Sequence, residues 1–242
     1  MKNIQTVRLK MFALCVLLAS AALANERVLQ QADSLFAARQ YTQSFELYRV
    51  LLANNKYSPA MLLKMAYIQE GLGHIGQSLF YLNLYELASG DEQARDKMEE
   101  LAARHHREGY AQTEATRWAQ VGKKNEWLVF TGLGAAALLL FAWLAYQKVK
   151  KKNLLAPGIL LLVVLGGWLA YLWATAPAPR LIITARPVTY LMSEPSAGAE
   201  VVAIVTDGHR LTQLQANEAW IKAYWGTREV YLRNTQALTV AL

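Results

Sequence analysis

The chain has 242 residues and a net charge of +7, with 54% hydrophobic and 18% charged residues. That apolar share is high for a soluble protein. The net charge invites a nucleic-acid interpretation, but the excess lies in 1–24 and 147–153, whereas 25–126 and 176–242 are nearly neutral. Neither of these globular parts has the basic face that nucleic acid requires, so we expect no nucleic-acid partner.

The pattern of residues 1–24 is typical of a secretory signal peptide. Three basic residues precede an apolar run that ends in Ala-Leu-Ala at Ala24, which is the order of a basic region, an apolar region and a cleavage site. An uncleaved anchor helix is the alternative. Cys15 is the only cysteine of the chain and lies inside this segment, so we expect neither disulfides nor thiol chemistry after cleavage.

Residues 25–125 are predicted to form a helical-repeat domain. The segments 35–52 and 69–87 align at an offset of 34, which places Ser44 on Ser78. A period of 34, with a small residue where two helices cross and bulky residues beside it, resembles the tetratricopeptide repeat. The resemblance implies pairs of antiparallel helices. Serine stands here where that family usually has alanine.

The stretch GLGHIG at 71–76 matches G-x-G-x-x-G, the fingerprint of dinucleotide-binding loops. That fingerprint requires a strand before it, and the preceding MLLKMAYIQE has helical spacing of its apolar residues instead. We therefore interpret GLGHIG as a turn between two helices, with Gly73 as a left-handed cap and Gly76 at the start of the next helix. No cofactor is expected.

The repeat resemblance also implies a binding groove. In tetratricopeptide repeats the first helix of each pair lines a concave face, and the register of this sequence places Asp33, Phe36, Tyr67 and Glu70 there. Tyr67 and Glu70 are three residues apart and would share a helix face. The resemblance thus predicts a surface for a partner helix or an extended segment.

Two segments, 127–146 and 154–174, contain no charged residue and are predicted to be transmembrane helices. The seven-residue connection at 147–153 is short enough to require an antiparallel hairpin. By the positive-inside rule its lysines place it in the cytoplasm, namely Lys148, Lys150, Lys151 and Lys152. We therefore expect a bacterial inner-membrane protein with two spans and both globular domains in the periplasm.

The C-terminal part is predicted to be all-β. A proline-rich linker at 176–180 precedes 181–242, where five or six short segments are rich in β-branched and aromatic residues. Such segments indicate a small β-barrel. The motifs WIKA at 220–223 and VYL at 230–232 resemble those of the bacterial SH3 domain, although valine replaces the glycine usual in the second. The resemblance implies a surface for extended or glycan-linked peptides.

Aromatic side chains of the β-part are candidates for that surface. They are Tyr190, Tyr224, Trp225 and Tyr231. Tyr224 and Trp225 are consecutive, so one of them must face outward on a strand, whereas Trp220 is expected in the core. The alternative is that these aromatic residues only fill a small core.

The order of signal peptide, tetratricopeptide-like repeats, two-helix transmembrane hairpin and SH3-like barrel resembles the BatE-type proteins of Bacteroides aerotolerance clusters. That resemblance implies a non-enzymatic, membrane-anchored scaffold with von Willebrand A-type partners and a MoxR-type ATPase. The sequence contains no nucleophile–base set and no ligand cluster, so no enzyme and no metal site are expected. The alternatives are a peptidoglycan-peptide-binding module of the cell envelope and, less favoured, a hydrolase or transporter subunit.

Overall fold

The computed structural model describes residues 25–111, 126–149, 162–169 and 180–242. The predicted signal peptide, Lys150, Lys151 and Lys152, and the linker 176–180 up to its last residue lie outside the described residues. The described residues 25–110 and 180–242 belong to one compact unit, and the described residues from 111 to 169 belong to a second.

The N-terminal part of the first unit is a series of antiparallel helices. They are α1 at 25–37, α2 at Tyr41–Ala53, α3 at Pro59–Gly71, α4 at Ile75–Ser89 and α5 at Gln93–Arg104. The starts of α2 and α4, at positions 41 and 75, differ by 34, and so do those of α3 and α5, at 59 and 93. The 34-residue spacing found in the sequence is therefore present in the helix positions and extends into α5.

Each of the two repeats contains an equivalent hydrogen bond between its two helices. Ser44 Oγ donates to the carbonyl oxygen of Ala32 at 2.8 Å, and Ser78 Oγ donates to that of Ala66 at 3.0 Å. All four residues are buried. Small side chains let the helices of each pair approach closely, and the serine hydroxyl has a partner where the helices cross.

The turn interpretation of GLGHIG is confirmed. Gly71 is the last residue of α3, Gly73 has a φ of +77° and Ile75 begins α4. A helix, not a strand, precedes the glycines, so the context of a dinucleotide-binding loop is missing. The equivalent turn of the first repeat places Arg39 at a φ of +60°, which costs an L-residue free energy that glycine does not lose.

The C-terminal part of the first unit is a seven-stranded antiparallel sheet. Its strands are β1 at Leu181–Thr184, β2 at Thr189–Met192, β3 at Val201–Val205, β4 at Arg210–Ala216, β5 at Trp220–Trp225, β6 at Arg228–Arg233 and β7 at Ala237–Val240. Their order is β3-β2-β6-β5-β4-β1-β7. The buried side chains of this sheet include Ile182, Leu191, Leu211, Ile221, Val230 and Leu232. Helices are thus followed by a sheet, as predicted.

The predicted transmembrane hairpin requires correction. Within the ranges that the structure describes, no helix combines the length and apolarity needed to cross a membrane. Helical structure in the second unit comprises Glu126–Val149 and 162–169. Of the second predicted span, 154–174, the structure describes only 162–169, and these residues are helical. The rest of that span lies outside the described residues.

The fold class and the localisation that depended on this hairpin are corrected with it. The predicted two-span inner-membrane arrangement, with both globular domains in the periplasm and a cytoplasmic loop, is not supported. The first predicted span, 127–146, lies within a helix that starts at a glutamate and continues through Lys148. That lysine, assigned above to the loop 147–153, is therefore helical.

Candidate functional site

An aromatic cluster connects three helices of the repeat region. Phe36 lies in α1, Tyr41 begins α2 and Tyr67 lies in α3. Their ring centroids are 5.4 Å apart for Phe36–Tyr41, 5.9 Å for Phe36–Tyr67 and 6.0 Å for Tyr41–Tyr67, all edge-to-face. Such contacts stabilise aromatic pairs. Tyr67 is nevertheless 57% exposed, so one ring of the cluster faces solvent.

An ion pair lies beside the aromatic cluster. Lys64 Nζ is 2.8 Å from Asp33 Oδ1 and 5.5 Å from the centroid of the Phe36 ring. The hydroxyl of Tyr48 also donates to Asp33 Oδ1. Burial alone would raise the pKa of Asp33, but the hydrogen bonds from Lys64 and Tyr48 outweigh it and lower the pKa. Asp33 is therefore held as a carboxylate.

Glu70 lies one helical turn beyond Tyr67 and forms an ion pair with a different helix. Its Oε1 is 3.3 Å from Lys97 Nζ, which belongs to α5. Asp33 and Glu70 thus both have lysine partners within the repeat region. The exposed ring of Tyr67 is therefore the feature of this face that a partner could contact.

The structure brings together three of the four residues predicted for the groove. Asp33, Phe36 and Tyr67 are linked through Lys64 and the ring contacts, whereas Glu70 belongs to the adjacent pair with Lys97. Sequence reasoning missed Lys64 and Tyr41. Tyr41 begins the second helix of its pair, so a rule that assigns the groove to first helices excluded it.

A second candidate site is a small pocket on the sheet. It has a volume of about 300 Å³, and its walls include Tyr190, Trp220 and Arg233. The guanidinium of Arg233 lies 5.2 Å from the ring centroid of Trp220, a favourable cation–π arrangement. Trp220 is half-buried at the pocket wall and not in the core, where the sequence had placed it.

The other predicted surface aromatics lie apart from this pocket wall. Of Tyr190, Tyr224, Trp225 and Tyr231, only Tyr190 is among the described residues that line it. Tyr224 faces outward and is 39% exposed, while Trp225 packs against the core of the sheet. Tyr231 is half-buried, with Lys222 Nζ 5.9 Å from its ring centroid. The four do not line one pocket together.

The turn Thr206–Arg210, which we name the docking turn, joins the sheet to the helices. Asp207 Oδ2 accepts a hydrogen bond from the backbone N–H of Gly76 at 3.0 Å, and Asp207 Oδ1 accepts one from Arg107 at 3.1 Å. Gly76 is in the first turn of α4, where free N–H groups and the helix dipole favour an anion. GLGHIG therefore does hold an anion, but that anion is a carboxylate of the same chain.

Further contacts of the docking turn involve the segment 107–110 that follows α5. Tyr110 donates its hydroxyl to the carbonyl oxygen of Gly208 at 2.9 Å. Arg210 donates through Nε to the carbonyl of Gly109 at 2.7 Å, and its guanidinium lies 4.5 Å from the Tyr110 ring centroid. Tyr110 also packs in the helical core. Sequence reasoning missed this contact, because its partners are about 100 residues apart in the chain.

Comparison with known protein families, with curated proteins and with solved structures found no match for this chain. Among the described residues, no three or more His, Cys, Asp and Glu side chains are grouped so that they could hold a metal ion. The functional interpretation therefore depends on side-chain geometry, and the resemblance to BatE-type proteins stays a prediction.

Proposed function

We propose that the protein is an interaction scaffold whose repeat region binds a segment of a partner protein through the aromatic cluster. The observation that carries the proposal is the exposure of Tyr67 within a three-ring cluster. A ring that served only to hold α1, α2 and α3 together would be expected to lie buried between them. Tyrosine is enriched among the residues that dominate interface energies.

The charges around the aromatic cluster restrict the kind of partner. Asp33 is paired with Lys64 and Glu70 with Lys97, so the two carboxylates predicted for the groove are already neutralised within the repeat region. The face fits a partner helix or extended segment that inserts one apolar or aromatic side chain against Tyr67. Such an anchor, ringed by satisfied polar groups, is the usual arrangement of a binding hot spot.

The experiment is a quantitative pulldown with the full-length chain. Tyr67→Ala should reduce recovery of the partner at least about tenfold, which corresponds to a loss of about 1.4 kcal/mol. Tyr57→Ala is the matched control, because Tyr57 is 45% exposed but lies in the loop before α3 and outside the aromatic cluster. It should leave recovery unchanged.

Two outcomes would contradict the proposal. One is equal recovery with wild type and Tyr67→Ala, and the other is equal loss with Tyr57→Ala. Far-ultraviolet circular dichroism should show the same helical signal for all three proteins, because both tyrosines are largely exposed. That measurement separates lost binding from lost structure.

A second candidate function is peptide binding by the sheet. The pocket near Tyr190 combines two aromatic side chains with the Arg233 guanidinium, which suits a peptide that carries a carboxylate. This proposal corresponds to the SH3-like resemblance of 181–242 and to the peptidoglycan-peptide alternative. Titration of the full chain with purified wall peptides should show saturable binding that Tyr190→Ala weakens and Tyr224→Ala leaves unchanged. Binding that both variants retain would exclude the pocket.

The partners implied by the BatE-type resemblance are candidates for the same pulldown. Von Willebrand A-type proteins and a MoxR-type ATPase would be tested by coexpression with the full chain. The support for this identity is the order of helical repeats before a β-domain. Recovery of either candidate with the wild type but not with Tyr67→Ala would favour that protein as the partner. Recovery of neither would exclude both as partners of this surface.

A further inference from the structure

The docking turn contains a buried histidine whose ring contacts the helical side. His209 is only 7% exposed. Its Nδ1 accepts a hydrogen bond from the backbone N–H of Glu108 at 3.2 Å, and its Nε2 lies 3.4 Å from Thr206 Oγ1. The backbone of His209 is fixed to β1, because its N–H donates to Thr184 Oγ1 at 2.9 Å.

This arrangement is specific for the neutral ring. A backbone N–H can only donate, so Nδ1 must act as an acceptor and carry no proton, which assigns the ring proton to Nε2. Protonation of the imidazole places a second donor at Nδ1, directly opposite the N–H of Glu108. The hydrogen bond is then lost and replaced by a repulsive contact between two donors, while the fixed backbone of His209 limits how far the ring can move away.

We propose that the docking turn is a proton-operated latch, in which protonation of His209 releases the sheet from the segment 107–110 and from the start of α4. The latch is independent of the proposed partner binding. Release would break the contacts made by Asp207, Gly208 and Arg210 together, because the three residues lie in one turn.

Some of the charged groups around the His209 ring raise its pKa and others lower it. Burial is the main cause that lowers the pKa of His209, and the Arg107 guanidinium lowers it further. The carboxylates of Glu108 and Asp207 oppose this, and Arg210, next in the chain, is engaged with Gly109 and the Tyr110 ring. From α4, Gly76 presents a backbone N–H to the turn. The net direction is a lowered pKa.

The sign of the pH effect follows from that direction. The docked state binds fewer protons at His209 than the released state, whose imidazole has an ordinary pKa of about 6.5. Docking is therefore fully favoured above about pH 6.5 and is lost progressively as the pH falls below it. The released-state pKa of about 6.5 sets the upper limit of the effect, which is a rise of about tenfold in the equilibrium constant for opening between pH 7.5 and 5.5.

The test is hydrogen exchange of the full-length chain at pH 7.5 and 5.5, corrected for intrinsic exchange rates. The amides of Glu108 and Arg210 report opening, since they donate to His209 Nδ1 and to the Glu108 carbonyl. Their protection should fall in the wild type, by at most about tenfold. His209→Asn, which offers an uncharged acceptor, should show no such change.

His106→Asn is the matched control. His106 is exposed and has a φ of +56°, a conformation that asparagine tolerates, so this variant should keep the same pH response as the wild type. Equal protection at the two pH values in the wild type would overturn the proposal, and so would a pH response that survives His209→Asn. If His209→Asn fails to fold, nuclear magnetic resonance titration of His209 in the wild type decides, and a pKa at or above 6.5 overturns the latch.

Discussion

Replacement of Gly76 by alanine tests the contact between the α4 N-terminus and the docking turn. A Cβ at this position would lie 2.6 Å from Asp207 Oδ2 and 2.8 Å from the backbone nitrogen of Gly208. The alanine must therefore displace the turn and break the hydrogen bond from Gly76 N–H to Asp207. Alanine is otherwise the better helix residue, so any loss of stability measures the contact and not the helix.

The magnitude follows from three contributions. Loss of a hydrogen bond to a charged group costs about 1.5–3 kcal/mol, and forcing an extra methyl group into a packed site costs about 1–3 kcal/mol. The higher helix propensity of alanine returns up to about 1 kcal/mol. We expect Gly76→Ala to lower the free energy of unfolding by about 1.5–6 kcal/mol, the range over which these contributions combine.

Gly71→Ala is the matched control for this experiment. Gly71 ends α3, has no positive φ, and a Cβ there would meet no atom within 4 Å. Urea unfolding of the full chain, followed by circular dichroism, should show Gly71→Ala unchanged or up to about 1 kcal/mol more stable. If Gly76→Ala is as stable as Gly71→Ala, the docking turn does not contact α4 in solution and the reasoning is refuted.

Other substitutions test the repeat region by the same unfolding measurement. Ser44→Ala and Ser78→Ala should each cost about 1 kcal/mol and differ from each other by less than that, because both lose the same buried hydrogen bond; a large difference would mean that the two crossings are not equivalent. Gly73→Ala should destabilise by about 1 kcal/mol because of its positive φ. Arg39→Gly should stabilise by a similar amount for the same reason. Destabilisation would show that the Arg39 side chain makes a contact whose loss costs more than the relieved backbone strain.

The repeat region could be predicted because its signals are local and periodic. The alignment of Ser44 with Ser78 fixed the 34-residue spacing, and the apolar pattern before Gly73 identified a helix before the turn. The resemblance to tetratricopeptide repeats placed Asp33, Phe36, Tyr67 and Glu70 on one face. The structure joins the first three of them through Lys64 and the ring contacts.

The docking turn could not be predicted, because its interactions connect distant parts of the chain. Asp207-Gly208 is a dipeptide typical of turns between strands. Nothing in the sequence near it identifies Gly76 or Tyr110 as partners. His209 likewise had no visible partner, since its ring contacts a backbone N–H, which every residue except proline has. The transmembrane hairpin was predicted because two segments lack charged residues. Absence of charge does not by itself establish the combined length and apolarity of a membrane span, and no described helix has both.

The most direct test of the interaction surface is site-specific photo-crosslinking in the full-length chain. A photoreactive phenylalanine analogue would replace Tyr67 in one protein and Tyr57 in another, and both would be expressed in the native cell. We expect a crosslinked product of defined mass from position 67. It should disappear when Phe36→Ala is added, because the Phe36 ring contacts the Tyr67 ring at a centroid distance of 5.9 Å. No product from position 67, or the same product from position 57, would contradict this expectation.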